Sequence, residues 1–182
     1  DATTSASLSG TASYSGLATG ETFSVSGTPS ASFVSSSVGT GKSIVVTGYT
    51  APTTNYNLSQ PTGITADITA KNLTISGISI SNKTYDGNTS ASITGTATLN
   101  GVIASDAGNV VLSGTPVANF ASANIGNNIS VTVTGYALSG SASGNYTVSQ
   151  PTSLTANITA AESLNQTISF GNIAPVVYGA AS

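Results

Sequence analysis

The chain contains no cysteine, histidine, methionine or tryptophan, and only 5% of its 182 residues are charged. The missing cysteines exclude disulfide staples and thiolate sites. The missing histidines remove the side chain that most often serves as general base or metal ligand near neutral pH. Charge of both signs is scarce. Lys42, Lys71 and Lys83 stand apart from one another against six acids, for a net charge of -3. No basic cluster is left to displace counterions from a phosphate backbone, so nucleic acid is not an expected partner. Long apolar runs are missing too. None approaches the roughly 20 residues that a helix needs to cross a bilayer, and no membrane insertion is expected.

What the chain has in quantity is Ser and Thr, about a third of all residues, set among 38% hydrophobic residues. The two classes alternate, which a disordered chain has no reason to do. Phe23 and Val25, Ile44 and Val46, Tyr56 and Leu58, and Ile64, Ala66 and Ile68 each sit two apart, as do Val131 and Val133 or Leu154, Ala156 and Ile158. A period of two predicts strands with one buried face. The β-branched Thr, Val and Ile suit that state, and no segment has the 3.6-residue period of a crossover helix. Gly, Asn and Pro punctuate the chain at the spacing of a meandering antiparallel fold, with Asp86-Gly87 a good turn pair. The expected class is all-β and antiparallel.

One stretch occurs twice, from Asn55-Tyr56-Asn57-Leu58-Ser59-Gln60-Pro61-Thr62 to Ile68-Thr69-Ala70, and from Asn145-Tyr146-Thr147-Val148-Ser149-Gln150-Pro151-Thr152 to Ile158-Thr159-Ala160. The copies lie 90 residues apart, about the length of one small domain. Upstream the match continues at slightly shorter offsets. Asp1 to Ala12 pairs with Asp86 to Ala97, Gly27-Thr28-Pro29 with Gly114-Thr115-Pro116, and Gly48-Tyr49 with Gly135-Tyr136. The small insertions between matched blocks mark turns. The expected organisation is a first repeat over 1–70, a second and complete one over 71–161, and a segment over 162–182 that opens a further unit or is donated as a strand. Leu73 to Tyr85 precedes Asp86 as one or two strands with nothing equivalent before Asp1, so the first repeat is expected to lack its first strand. Ile168, Phe170, Ile173 and Val177 are the apolar positions that a donated strand would use.

Lys83-Thr84-Tyr85-Asp86-Gly87-Asn88-Thr89, followed by Gly135-Tyr136 and Asn145-Tyr146, resembles the YDG repeat domain. The first copy keeps only Asp1-Ala2-Thr3-Thr4 of that motif, with Ala2 where the family has Gly. Gln166-Thr167-Ile168-Ser169-Phe170-Gly171 through Tyr178-Gly179 is similar to the start of the related MBG-type repeats. Such domains occur in tandem in large secreted surface proteins of bacteria, including filamentous haemagglutinin-like adhesins. The resemblance implies tandem immunoglobulin-like β-sandwich modules, an extracellular location at the bacterial cell surface, a stalk or adhesive role, and no known catalytic residues. Its motif residues here are Tyr85, Asp86, Gly87, Gly135, Tyr136, Asn145 and Tyr146, with Asn55 and Tyr56 in the first copy.

The remaining candidates for chemistry each meet an objection. Gly39-Thr40-Gly41-Lys42-Ser43 ends like a phosphate loop, but the required earlier glycine is Ser36 and a strand rather than a helix follows. The many serines have no histidine to activate them. Six acids, Asp1, Glu21, Asp67, Asp86, Asp106 and Glu162, are spread singly, which suits no acid and base pair. Asp86 with Asn88, and Asp106, are weak calcium candidates, and plain Asx turns explain them equally. An intramolecular crosslink is conceivable for Lys83 with Glu162 or Asp106, and no spacing argues for it. Tyr49, Tyr56, Tyr136 and Tyr146 recur at core positions and are read as packing residues needing a hydroxyl partner, which leaves Tyr14 as the aromatic platform for a sugar. No cofactor is expected, and the chain is read as non-enzymatic.

Three functional readings follow. The leading one is a stalk or spacer whose partners are neighbouring repeats. The second is a fibre subunit that associates with other copies through the 162–182 segment. The third is a module that binds cell-surface glycans or ice through Thr-rich strands such as Thr94, Thr96 and Thr98.

Overall fold

The computed structural model describes residues 2–162, 168–172 and 178–179, and among these every regular element is a strand apart from single 3-10 turns at Ala104–Asp106 and Ser143–Asn145. The first four strands, β1 (Ser5–Ala6), β2 (Ser26–Phe33), β3 (Gly39–Thr50) and β4 (Thr65–Ile68), form one antiparallel sheet in sequence order. Then follow β5 (Lys71–Ile80), β6 (Lys83–Thr84), β7 (Ser90–Ala91), β8 (Ile93–Asn100), β9 (Val111–Phe120), β10 (Gly126–Ser139), β11 (Tyr146–Val148) and β12 (Leu154–Thr159). They make a five-stranded sheet in the order β6-β12-β10-β9-β7 and a three-stranded sheet in the order β11-β5-β8.

The sequence repeat is a repeat of register. Ser5 and Ala6 face Ser32 and Ala31 as Ser90 and Ala91 face Asn119 and Ala118. The β3–β4 ladder slips between Gly39 and Lys42, and the β10–β12 ladder slips between Gly126 and Ile129. Equivalent bulges therefore bend the long central strand of each repeat at the same place.

Alternation places the core. Val131 and Val133 of β10 are buried while Thr132 and Thr134, which alternate with them, are exposed. They pack with Ala118, Phe120, Ala156 and Ile158 from the same sheet and with Ile78, Ile80 and Ile93 from the three-stranded one, so this cluster fills the space between two sheets. Leu73 is fully buried in a second cluster with Val110 and Tyr146, against Leu99, Ile103 and Leu138. Burying a side chain such as Leu73 stabilises by about 1.5–3 kcal/mol, which is how a chain with almost no ion pairs holds together.

Two pairings depart from the antiparallel expectation. β6 runs parallel to β12, and β5 runs parallel to β11. The cause is that the segment 71–84 serves both sheets, crossing at Ser81 and Asn82 and lying beside the last strand of each. The Asn82 side-chain oxygen accepts the backbone N–H of Asn157 at 2.8 Å beside that crossing.

The first repeat is thinner than the second. Val46 is its one buried apolar residue among those described, whereas the counterparts of Phe23, Phe33, Ala66, Ile68 and Tyr56, namely Val110, Phe120, Ala156, Ile158 and Tyr146, are all buried. Phe23 is 37% exposed and Val110 7%. Phe23 with Val25 and Tyr56 with Leu58 alternate as strands do, yet neither pair lies in a strand. Residues 8–15 and 56–58 correspond to β8 and β11, which are held by β5 between them. An extended segment becomes a strand only when a neighbour takes up its backbone groups, and no described strand does so here.

Candidate functional site

The motif around Asp86 is a clasp closed by one lysine. Gly87 has φ +79°, a conformation natural to glycine, and turns the chain between β6 and β7. The Lys83 ammonium donates to Asp86 Oδ1 at 2.8 Å, to the Asn88 carbonyl at 2.7 Å and to Asn88 Oδ1 at 3.0 Å. It also lies 5.5 Å from the centre of the Phe120 ring. Asp86 in turn accepts the Asn88 backbone N–H, and Asn88 Oδ1 accepts that of Ser90. The lysine hydrogen bond, helped by the Asn88 N–H, holds the Asp86 carboxyl below the usual carboxylate range. Tyr85 is half exposed and its backbone N–H continues the ladder to Thr159.

Asp86 and Asn88 thus come together around an ammonium group, and Asp106 is engaged elsewhere. Among the described residues no group of three or more His, Cys, Asp or Glu is positioned to hold a metal ion. Among the described residues the ion pair is Lys83–Asp86. Lys83 does not meet Asp106, whose partner is Tyr146. Gly39 to Ser43 lie in β3, with Lys42 Nζ donating to the Ser37 carbonyl and the Gly41 N–H donating to Asp67.

Tyr146 is buried, and its hydroxyl donates to Asp106 Oδ2 at 2.6 Å while accepting the Ile103 N–H at 3.3 Å. Burial, then the Asp106 hydrogen bond, pushes the phenol above its ordinary range. Tyr56 repeats the arrangement with other residue types. Its hydroxyl donates to Glu21 and accepts the Ala18 N–H at 2.9 Å, and its ring meets Phe23 edge to face at 6.2 Å. In both copies the tyrosine closes a turn whose first N–H and whose acid, three residues on, point at one oxygen. The Asp106–Ile103 and Glu21–Ala18 backbone bonds complete it.

Asn145, the other half of that motif, works across repeats: its Oδ1 accepts the Val38 N–H at 3.0 Å. The Asn55 N–H bonds to Thr53 Oγ1 within its own loop. Gly135 and Tyr136 belong to a bulge in β10. Gly135 has φ +94°, and a Cβ there would lie 2.4 Å from the Thr115 carbonyl oxygen. Tyr136 packs against the main core, and Tyr14, expected as a free platform, instead donates its hydroxyl to the Thr50 carbonyl at 2.6 Å. The Thr94, Thr96 and Thr98 row is interrupted by the ladder slip opposite Ser76 and Ile78, and Thr94 and Thr98 spend hydroxyl bonds on β5.

One residue pair escaped the sequence reading. Gln150 Nε2 donates to the Tyr136 carbonyl at 2.9 Å and its Oε1 accepts the Tyr136 N–H at 3.0 Å, and Gln60 makes the same two bonds to Tyr49 at 2.8 and 3.1 Å. The signal was present, since Gln sits at the same place in both copies of Ser-Gln-Pro-Thr. Ile168 and Phe170 are 83% and 86% exposed and lie outside any strand, while Ile173 and Val177 lie outside the described residues.

A tyrosine-closed turn, a glutamine clamp and a glycine bulge, each built twice, define a β-rich repeat protein held by local backbone locks. The chain belongs to the YDG domain family, whose model matches residues 1–63 and 69–154. No curated protein and no solved structure gives a significant match.

Proposed function

We propose that the chain is a structural repeat segment of a bacterial cell-surface adhesin or filament, an extracellular stalk of tandem immunoglobulin-like β-sandwich modules with the start of an MBG-type module at its end. The observation that carries this reading is the junction. Only Thr69 and Ala70 separate β4 from β5, and Asn145 of the second repeat takes the Val38 N–H of the first. A joint that short, tied by a hydrogen bond between repeats, limits bending, so each added repeat adds reach rather than slack. The low charge supports the same role, because few ion pairs are exposed to screening by salt. The natural partners are neighbouring repeats, with adhesion to cell-surface glycans assigned to other parts of such a protein.

Small-angle scattering on a chain ending at Glu162 tests the spacer. A compact body of this size has a radius of gyration of about 15 Å. The stalk predicts a clearly larger value that is unchanged by salt, and Asn145→Ala should broaden the distribution of dimensions. A compact value overturns the spacer, and specific retention of the fragment on a glycan array moves the assignment to a binding module.

A further inference from the structure

Ser92 carries the chain from one sheet to the other. β7 pairs with β9 of the five-stranded sheet, whereas β8, just past Ser92, pairs with β5 of the three-stranded one. The cover that β7 gives to β9 therefore ends at Ala91, opposite Ala118. Beyond that point no described strand pairs with the outer edge of β9, and an open cleft of about 520 Å³ lies between Ile93 and Pro116. Val117 and Val111 are 54% and 50% exposed on the same strand. A bare edge with exposed valines is a template for another strand, and the usual protection is charge. Neither β9 nor its counterpart β2 contains a charged residue.

The alternation of backbone groups shows which residue an incoming strand would meet first. The Phe120 N–H points outward, to the Thr89 carbonyl at 2.7 Å, and the Ala121 N–H points inward, to the Ser130 carbonyl of β10 at 2.8 Å. Successive residues of a strand turn their hydrogen-bonding groups to opposite sides, so Ala118 faces outward next, and then Pro116. The first repeat keeps the same phase. Its Phe33 N–H goes out to Thr4 at 2.7 Å and its Val34 N–H goes in to Ser43 at 3.2 Å, which turns Ala31 and then Pro29 outward. In each repeat the first outward position past the covering strand is the one residue type without an N–H. Immediately beyond, both ladders slip, between Gly27 and Ser30 and between Thr134 and Tyr136, so the edge also bends away.

We infer that Pro29 and Pro116 keep these two edges from pairing with the same edges of a second copy. Both prolines are exposed and neither joins a core cluster, so packing does not account for them. Two copies of β9 would meet antiparallel about a two-fold axis, and a chain with one such edge unblocked would close as a pair. A chain with both edges unblocked would build longer assemblies, β9 to β9 and β2 to β2. The prolines thus hold neighbouring chains apart sideways in a molecule with only 5% charged residues to repel them.

This inference does not rest on the spacer reading, because its readout is sideways association and not length. Sedimentation velocity on the full chain tests it. Pro116→Thr restores an N–H to one edge and should give dimers at concentrations where the wild type gives none. The Pro29→Thr, Pro116→Thr double variant should give longer species. Pro116→Ala restores the same N–H without a branched side chain and should associate in the same way, and circular dichroism verifies that each variant keeps its fold. Adding Val117→Lys to Pro116→Thr sets like charges near the two-fold axis and should return association to the wild-type level. Hydrogen exchange should find the new amide at position 116 protected in the dimer and open in the monomer. Folded variants that associate no more than the wild type, association that Val117→Lys leaves unchanged, or an amide at position 116 that stays open in the dimer would each overturn the proposal.

Discussion

The Tyr146 hydroxyl and the Asp106 carboxylate meet at 2.6 Å across 40 residues of sequence, and the same oxygen accepts the Ile103 N–H. One phenol thereby ties β11 to the loop before β9 and satisfies a backbone donor there. Tyr56 and Glu21 do the same in the first repeat, where the group is more exposed.

Tyr146→Phe should destabilise the second repeat by about 1–3 kcal/mol, because it leaves the Ile103 N–H and a carboxylate oxygen without their partner. Tyr56→Phe should cost less, since water reaches that site. Thermal denaturation of the two variants side by side checks the order, and equal losses would contradict the burial argument.

Gln150→Ala removes both bonds to the Tyr136 backbone and should cost about 1–3 kcal/mol. Gln150→Glu keeps the acceptor for the Tyr136 N–H but sets a carboxylate oxygen against the Tyr136 carbonyl, so at neutral pH it should be no better than alanine. A Glu variant as stable as the wild type would show that the donor half of the clamp is dispensable.

Glycine positions separate conformation from space. Gly87 and Gly135 both have positive φ, but a Cβ at Gly87 meets nothing within 4 Å whereas one at Gly135 meets the Thr115 carbonyl oxygen at 2.4 Å. Gly87→Ala should cost about 1 kcal/mol and Gly135→Ala more, as the bulge in β10 and its ladder with β9 must both shift. Urea denaturation of the two proteins gives the comparison.

Two groups set opposite limbs of the pH profile. Asp86 is held below its ordinary range, so its contribution is complete at neutral pH and is lost as pH falls from about 4 through the folded value. Asp86→Asn should flatten part of the acid-side decline in melting temperature. Tyr146 is held above its ordinary range, so the unfolded chain releases that proton first and stability declines as pH rises past about 10. Tyr146→Phe should remove part of that decline, and unchanged slopes in both variants would refute the assignment.

Much of this was legible in the chain alone, for local reasons. Val131 and Val133, or Ala156 and Ile158, alternate with polar residues, and a strand that buries one face has to look that way. The segment from Leu73 to Tyr85 reads as one or two strands and proves to be β5 and β6. Tyr146 needs a hydroxyl partner once buried, and it has one. Less legible were the partners themselves. Asp106, in sequence a weak calcium candidate or a plain Asx turn, takes the Tyr146 hydroxyl, and Asp86 and Asn88, open to the same two readings, close around the Lys83 ammonium.

Sequence by itself determined the all-β state, the two copies and the places where the chain turns, because alternation, β-branching and glycine act within a few residues of themselves. Tertiary structure decided which of those segments became strands. Tyr56-Asn57-Leu58 and Tyr146-Thr147-Val148 carry the same pattern, yet only the second is a strand, since a ladder needs hydrogen bonds from a neighbour and β5 lies beside it alone. It also decided that 71–84 would run parallel to the closing strands of both sheets, a matter of which distant edges remain to be paired and not of any propensity written into those residues.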